Sequence, residues 1–537
     1  MRTVLNSKGN IHQQIYFYLL MLLAAALPLS IFATSVIQFL LVINLGMEGR
    51  YAEKWSRITR NRAFQVYVIF YVVHILGMLW SSDLQYGLRD LKIKLPLLVI
   101  PFVVVSSEEL SIRQIRSILA AFIAGNMIGS LGSLLALLKW IPAEMDNYRN
   151  ASLFISHIRF SLMVVLSIMF SVYLFFKREA GEKNYLRILY LIAMLWLPVF
   201  LVILRSLSGI VIIVLIVLFF SLLLVRTVPD RAGRFMLQVL IITIPLFLIV
   251  YIGSAVNRFY SFEQIDPNDL DSLTIEGNPY IHYPENRETE NGHFVWINVC
   301  PPELEREWDR VSEYDYMGEA SNGGLIRFTL IRYLTSKGLR KDAAGVRQLD
   351  SVDIRAIERG IANHIYLNRF RLYPRIYEVI WEFDRYRLGF SPNDKSLVQR
   401  YYYLRAGISI ASENLLYGVG TGDVRQAFDK FYQENDSPLR LERRRGAHNQ
   451  YLTLAIAFGI PGLLICLLAL VLPVFMKGRW YSFMTLVFFL TMVLSMLDED
   501  TLKNSPGAEM FGLFYALFVF GPGWRWRTKK YKQSATG

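Results

Sequence analysis

The sequence predicts an all-α polytopic membrane protein on three observations: its apolar excess, the length of its apolar runs and the placement of its basic residues. Of its 537 residues, 54% are hydrophobic and 14% aromatic against 19% charged, and the mean hydropathy is +0.34. A soluble chain of this size has no use for so much apolar surface, so lipid is the expected solvent. The formal charge of +13 raises nucleic acid as a partner. The basic residues, however, stand in short clusters between apolar runs, as in proteins that fix their orientation in a bilayer, and no nucleic acid is expected. Cys300 lies in a polar region and Cys466 in an apolar run, so neither a disulfide framework nor a cysteine metal site is expected.

A helix that crosses a bilayer needs roughly 20 apolar residues. Such runs cover 14–34, 63–81, 117–138, 159–176, 187–205, 207–225, 235–255, 450–475 and 480–497. Shorter runs at 35–48, 95–106 and 508–523 bring the expected total to roughly 12 spans. The first run follows Arg2 and Lys8, meets a second run at once and lacks a small-residue cleavage site, so it reads as a retained span. An even count puts both termini on one side. Arg50 to Arg62, Arg113 and Arg116, Lys177 to Arg187, Arg226 to Arg234, and Lys477 with Arg479 fall in alternate loops, and the tail adds Arg525 to Lys532. The positive-inside rule places these loops and both termini in the cytoplasm. The expected organisation is an N-terminal transmembrane bundle over 1–255 with about nine spans, a large, mainly helical outward loop domain over 256–447, transmembrane helices over 448–523 and a basic tail over 524–537.

Chemistry is expected in the outward segment. Residues 257–290 read as loop. From 349 to 383, Ile354, Ile357, Ile361, Ile365, Phe370, Ile376 and Ile380 recur at three- and four-residue spacings, interrupted at Pro374, which predicts two amphipathic helices. Residues 400–423 begin as a helix and end in Gly418, Gly420 and Gly422, with a new helix from Asp423 whose Val424, Phe428 and Phe431 share a face. Glycines before a helix offer backbone N–H groups to a phosphate; the bland reading is a tight turn.

Downstream, Arg440, Arg443, Arg444 and Arg445 precede His448-Asn449-Gln450-Tyr451-Leu452, which runs straight into an apolar span. Histidine exchanges a proton near neutral pH, and arginine's fork matches phosphate oxygens. A polar anchor at a helix end and a headgroup-facing patch are the bland alternatives. Arg205 interrupts Leu201-Val-Ile-Leu-Arg205-Ser-Leu-Ser-Gly209 at an outward turn between two apolar spans, where an ionisable group is costly and faces either a polar cavity or, by snorkelling, the interface. Asp498, Glu499 and Asp500 form the last outward loop and would orient the histidine, balance the arginines or simply solvate the turn. His157 and Arg159 open another span as a polar pair, and His74 lies in a span as a packing residue.

The order of these features resembles the O-antigen ligase and polymerase superfamily. An Arg-bearing outward turn is followed by Arg400-x3-Leu404-Arg405-Ala-Gly407, Gly418-Val-Gly420-Thr-Gly422-Asp423, His448-Asn-Gln-Tyr-Leu452 and Gly459-Ile-Pro-Gly462. The resemblance implies an all-helical, metal-independent, inverting GT-C type glycosyltransferase of the bacterial inner membrane, with its active site on the periplasmic face and no cofactor. It implies that His448 takes a proton from the acceptor hydroxyl and that Arg205 and either Arg400 or Arg405 bind pyrophosphate. Arg443, Arg444, Arg445, Asn449, Gly420, Gly422, Asp498, Asp500, His157 and Arg159 complete the candidate substrate-binding set. The implied donor is an undecaprenyl-pyrophosphate-linked glycan, and the implied acceptor is lipid A core. Another glycan repeat (polymerase) or a protein side chain (oligosaccharyltransferase) are the alternatives within the superfamily. A lipid-linked glycan transporter or a non-catalytic scaffold represents other classes; a transporter predicts repeated halves, which the sequence lacks.

Overall fold

The computed structural model describes residues 2–138, 140, 154–179, 181–266, 270–368, 371–393 and 395–522. The basic tail over 524–537 and Phe370 lie outside these. Helix dominates: among the described residues the only strands are the two-residue Thr289–Glu290 and His293–Phe294. Seven helices are long and apolar enough to cross a membrane, namely Arg62–Trp80, Ile112–Leu137, His157–Phe176, Asn184–Ile203, Leu207–Leu224, Arg231–Tyr260 and Gln450–Met476. The pair Ile31–Met47 and Tyr51–Arg60, bent by 114°, makes an eighth if counted as one span. Ile11–Ala26, Phe483–Asp498 and Ser505–Phe520 are shorter apolar helices.

Several boundaries differ from the run-by-run reading. The apolar run over 14–34 is divided by a turn at Leu27–Ser30, after which the Ser30 hydroxyl accepts the Ala33 N–H at 3.2 Å. The basic stretch after Arg50 is a helix, Tyr51–Arg60, whose Lys54 turns inward to Glu48 at 2.9 Å. The run over 95–106 is the apolar half of one longer helix, Leu84–Ser106. Pro374 opens the helix Tyr373–Arg387 rather than interrupting one, because proline at the first turn forfeits an N–H that has no partner there.

The chain forms two compact units, Met1–Arg234 with Phe390–Gly537, and Phe235–Gly389. In the first unit the helix-connecting loops gather into two sets. One set is tied by Arg57 to the Ser106 carbonyl at 3.0 Å, by Arg116 to the Lys177 carbonyl at 2.8 Å and to Glu182 at 2.6 Å, and by Arg479 to the Gly521 carbonyl at 2.6 Å. The other set joins residues 82–83 to Asp423, Ser208 to Asp498, and His448 to Glu499. Successive helices run from one set to the other, so the candidate residues of the second set gather at a single end of the bundle.

The helix Gln450–Met476 is broken at Gly459, whose φ of +66° belongs to the left-handed region. The glycine-rich loop fills the break: Val419 N–H donates to the Ile456 carbonyl at 2.8 Å, Gly420 N–H to the Ala457 carbonyl at 2.9 Å, and Ile460 N–H to the Leu415 carbonyl at 2.7 Å. Backbone groups that a kinked span would leave bare in an apolar layer are thereby satisfied.

The second unit has its own core around Trp308, Leu330, Tyr333, Leu334 and Ile357. Its hairpin turns at Asn291 and Gly292, with φ of +51° and +89°, the turn chemistry an Asn-Gly pair supplies. Glu290, fully buried, takes Arg332 at 2.5 Å and hydrogen bonds from Asn363 at 2.6 Å and Tyr377 at 3.2 Å. The Glu290-to-Cys300 stretch, which has no chemical reading from sequence, is a structural knot.

A methyl group at Gly459 would lie 2.5 Å from the Leu415 carbonyl oxygen in addition to straining φ. Gly459→Ala is expected to destabilise the first unit by about 1–3 kcal/mol or more, read as a lower unfolding temperature of the detergent-solubilised chain.

Candidate functional site

The site assembles where three segments of the first unit meet: the helix Ser396–Glu413, the residues leading into Gln450–Met476, and the end of Phe483–Asp498. Asn449 sets the entry of the second segment. Its carboxamide oxygen accepts the Leu452 N–H at 2.9 Å, capping the helix, while its amide donates to the Leu497 carbonyl at 3.0 Å. Tyr451 adds a hydrogen bond to the Val493 carbonyl at 3.0 Å. His448, one residue before the cap, is held with φ of +49°, a conformation that is costly for a side chain with a Cβ and that recurs where function demands it.

The His448 ring lies on Tyr403, centroids 5.3 Å apart and planes at 21°. Its Nδ1 is 3.3 Å from Glu499 Oε2. An ionised carboxylate can only accept, so Nδ1 carries the proton in that bond, and whenever the ring is uncharged its lone pair is at Nε2. The second Glu499 oxygen takes Arg400 Nη2 at 2.7 Å, while Arg400 Nη1 is paired with Asp498. Asp498 in turn accepts from Ser208 Oγ at 2.5 Å, which brings in the turn that holds Arg205, three residues upstream. Arg205 is 6% exposed and, like His448, has a left-handed backbone, with φ of +51°.

Glu499 is the electrostatic centre of this group. Burial by itself would raise its carboxyl, but the hydrogen bond and charge of His448, with the charges of Arg400 and Arg159, outweigh it and hold the group below the ordinary carboxylate value. The field of Arg159 therefore reaches the cluster. Arg400 and Arg405 are distinguished: Arg405 is exposed on the same helix, about 140° around it at 3.6 residues per turn. Of the two arginines, the one that joins the cluster is Arg400.

The segment carrying these groups has a recognisable relative. Residues 360–467 match the family model described as O-antigen ligase. Over this stretch the chain is similar to the O-antigen ligase family. The match runs from the second unit through Arg400, the glycine loop and His448 to the broken helix, and members of this superfamily are glycosyltransferase-like enzymes. No curated protein matches the chain.

Other candidate residues of this ligase-like chain sit around the cluster in different roles. Asp500 accepts from Thr453 Oγ1 at 2.6 Å, so the acid touching the histidine is its neighbour Glu499. Arg443 contributes its carbonyl to the Tyr403 hydroxyl at 2.6 Å, Arg445 its carbonyl to Tyr432 at 2.8 Å, and Arg444 Nε donates to the Leu439 carbonyl at 3.1 Å. His157 is the first residue of the helix His157–Phe176. Gly420 and Gly422 are not a phosphate cradle. Their N–H groups, with those of Val419 and Thr421, donate to Ala457, Ser81 Oγ, Ile456 and Gly77 respectively, and a methyl at Gly422 would lie 2.2 Å from the Asp83 carbonyl oxygen. The glycines permit close backbone contact. Asp423 completes that junction by accepting the N–H groups of Ser82 and Asp83, each at 2.8 Å.

Tyr403 and Ser208 are cluster residues that the sequence did not single out, while Glu499 was named for orienting the histidine only together with Asp498 and Asp500. Tyr403 was findable, since it lies three positions after Arg400 and thus on the same helix face. Among the described residues no three His, Cys, Asp or Glu side chains converge as a metal site requires.

Because the folded Glu499 carboxyl lies below its unfolded value, its contribution to stability is complete above the unfolded value and is lost as pH falls through the folded one. Thermal unfolding of the wild type, followed from neutral pH down through the carboxylate range, is expected to weaken more steeply than that of Glu499→Gln. Parallel profiles would refute this assignment. Tyr403→Phe is expected to keep the stacked ring but lose about 0.5–1.5 kcal/mol with the hydrogen bond to Arg443, measured by chemical denaturation.

Proposed function

We propose that the chain transfers an O-antigen-type glycan from undecaprenyl pyrophosphate to the lipid A core on the periplasmic face of the bacterial inner membrane. The observation that carries this reading is the His448–Glu499–Arg400 cluster, whose His448 and Arg400 lie inside the family match, at the end of the bundle away from the loops tied by Arg57, Arg116 and Arg479. The positive-inside rule makes that end periplasmic, and counting Leu84–Ser106 and the shorter apolar helices with the others gives roughly 12 spans, an even number that leaves both termini cytoplasmic.

In the proposed reaction His448 Nε2 accepts the proton of an acceptor hydroxyl as its oxygen attacks the anomeric carbon from the face opposite the pyrophosphate. Attack from that side inverts the centre, and undecaprenyl pyrophosphate leaves with the bonding electron pair. Glu499 accepts the Nδ1 proton throughout and stabilises the imidazolium that forms, a positioning role. Arg205, with Arg159, supplies cationic charge to the pyrophosphate. Arg400 spans two carboxylates and so orients Glu499; the leaving group gains its fork by displacing Asp498, the more exposed of the two partners, with a side chain 40% exposed against 10% for Glu499. Fixed guanidinium charges stabilise the leaving group without a cofactor.

Polymerisation onto another glycan repeat uses the same chemistry, and only the acceptor differs. Purified chain given lipid-linked glycan and lipid A core is expected to join them, and His448→Ala to slow joining by roughly 10²- to 10⁴-fold while the protein still inserts and purifies normally. Undiminished joining by that variant removes His448 from the mechanism, and joining of repeats to one another without transfer to core makes the chain a polymerase.

A further inference from the structure

A cationic recess is built partly from the segments that carry the His448 cluster. A cavity of about 350 Å³ is lined by Tyr86 and Arg89 from the start of Leu84–Ser106, by Arg425 and Phe428 from the helix Val424–Glu434, and by residues 444–446 with Lys503. Five of its lining side chains are cationic, Arg89, Arg425, Arg444, Arg445 and Lys503, against the two carboxylates Asp90 and Asp429. Asp90 is already matched by Lys94 at 2.5 Å, and Asp429 lies 3.8 Å from Arg425, so the wall keeps an excess of positive charge. Lys503 keeps its proton there: burial disfavours the ammonium, but Asp500, Tyr86 and Asp90 outweigh it and raise its pKa.

The recess and the His448 cluster share their supports. Arg445 and Gly446 line the cavity while His448, on the same short segment, bonds Glu499. Lys503 lines it while Asp498 and Glu499, on the same loop, hold Arg400. Two chain segments thus contribute side chains both to the recess and to the His448 cluster. The recess has the volume of a small-ligand pocket, ring faces from Tyr86 and Phe428, and forks suited to phosphate oxygens.

We propose that this recess binds a phosphoryl group carried on a sugar of the acceptor, separate from the pyrophosphate at Arg205 and Arg400. The proposal rests on the glycan-transfer reading, because it assigns the recess to the acceptor of that reaction. It is tested by binding rather than turnover. Calorimetry on the full detergent-solubilised chain, with glucose 6-phosphate as probe, is expected to show binding that glucose does not match. Arg89 is exposed and the Arg425 side chain is 72% exposed, so Arg89→Gln with Arg425→Gln leaves the fold intact; it is expected to weaken binding by roughly ten-fold or more, the double lysine variant to restore much of it, and His448→Ala to leave it unchanged. Equal binding of glucose, indifference to the double glutamine variant, loss in His448→Ala, or displacement by geranyl pyrophosphate, which would assign the recess to the donor, each overturns it. The transfer reading is judged by the joining assay, so either conclusion can fail alone.

Discussion

The Glu499 carboxylate is shared: one oxygen faces the imidazole of His448 and the other the guanidinium of Arg400. A carboxylate only 8% exposed is costly to keep charged, and two cationic or proton-donating partners offset that cost. The partners come from chain segments far apart in sequence, so the bond exists only when three helices are seated together. The surrounding features serve that seating. Asn449 caps one helix while bonding to the end of another, Tyr403 backs the imidazole, and the glycine loop fills the break at Gly459 so that the short helix ahead of it can take its own direction.

Much of this was legible from residues alone, for a definite physical reason. Charge inside or beside an apolar run is expensive, so Arg205 and His448 stand out against their surroundings, and helices of membrane-crossing length declare themselves by composition, whereas Arg400 was marked only by the motif resemblance. Distinctions among chemically similar neighbours were not legible. Asp498, Glu499 and Asp500 are consecutive acids, yet they face Ser208 and Arg400, His448, and Thr453 respectively, because the turn after a helix points successive side chains in different directions. Arg400 and Arg405 likewise differ only by their angle on one helix. The glycines looked like a ligand cradle because free N–H groups and closely packed N–H groups demand the same residue type; only tertiary contact separates them.

Helix boundaries failed where local chemistry overrode hydropathy. The turn ending at Ser30 divides an apolar run, and inward-turned Lys54 lets a basic stretch become a helix. Glu290 reverses the usual expectation: an acid in a polar segment invites a catalytic reading, yet its partners Arg332, Asn363 and Tyr377 consume its acceptor capacity within the second unit. Burial with full satisfaction marks a structural acid, whereas Glu499 is bonded to a ring whose other nitrogen remains available for chemistry.

Arg205 and His448 share one further property, a left-handed backbone at φ of +51° and +49°. Residues bearing a Cβ occupy that region at a cost of about 1–3 kcal/mol each, and glycine would occupy it without charge. Stability by itself therefore favours glycine at both positions, so the imidazole and the guanidinium stand there at the expense of a less relaxed backbone.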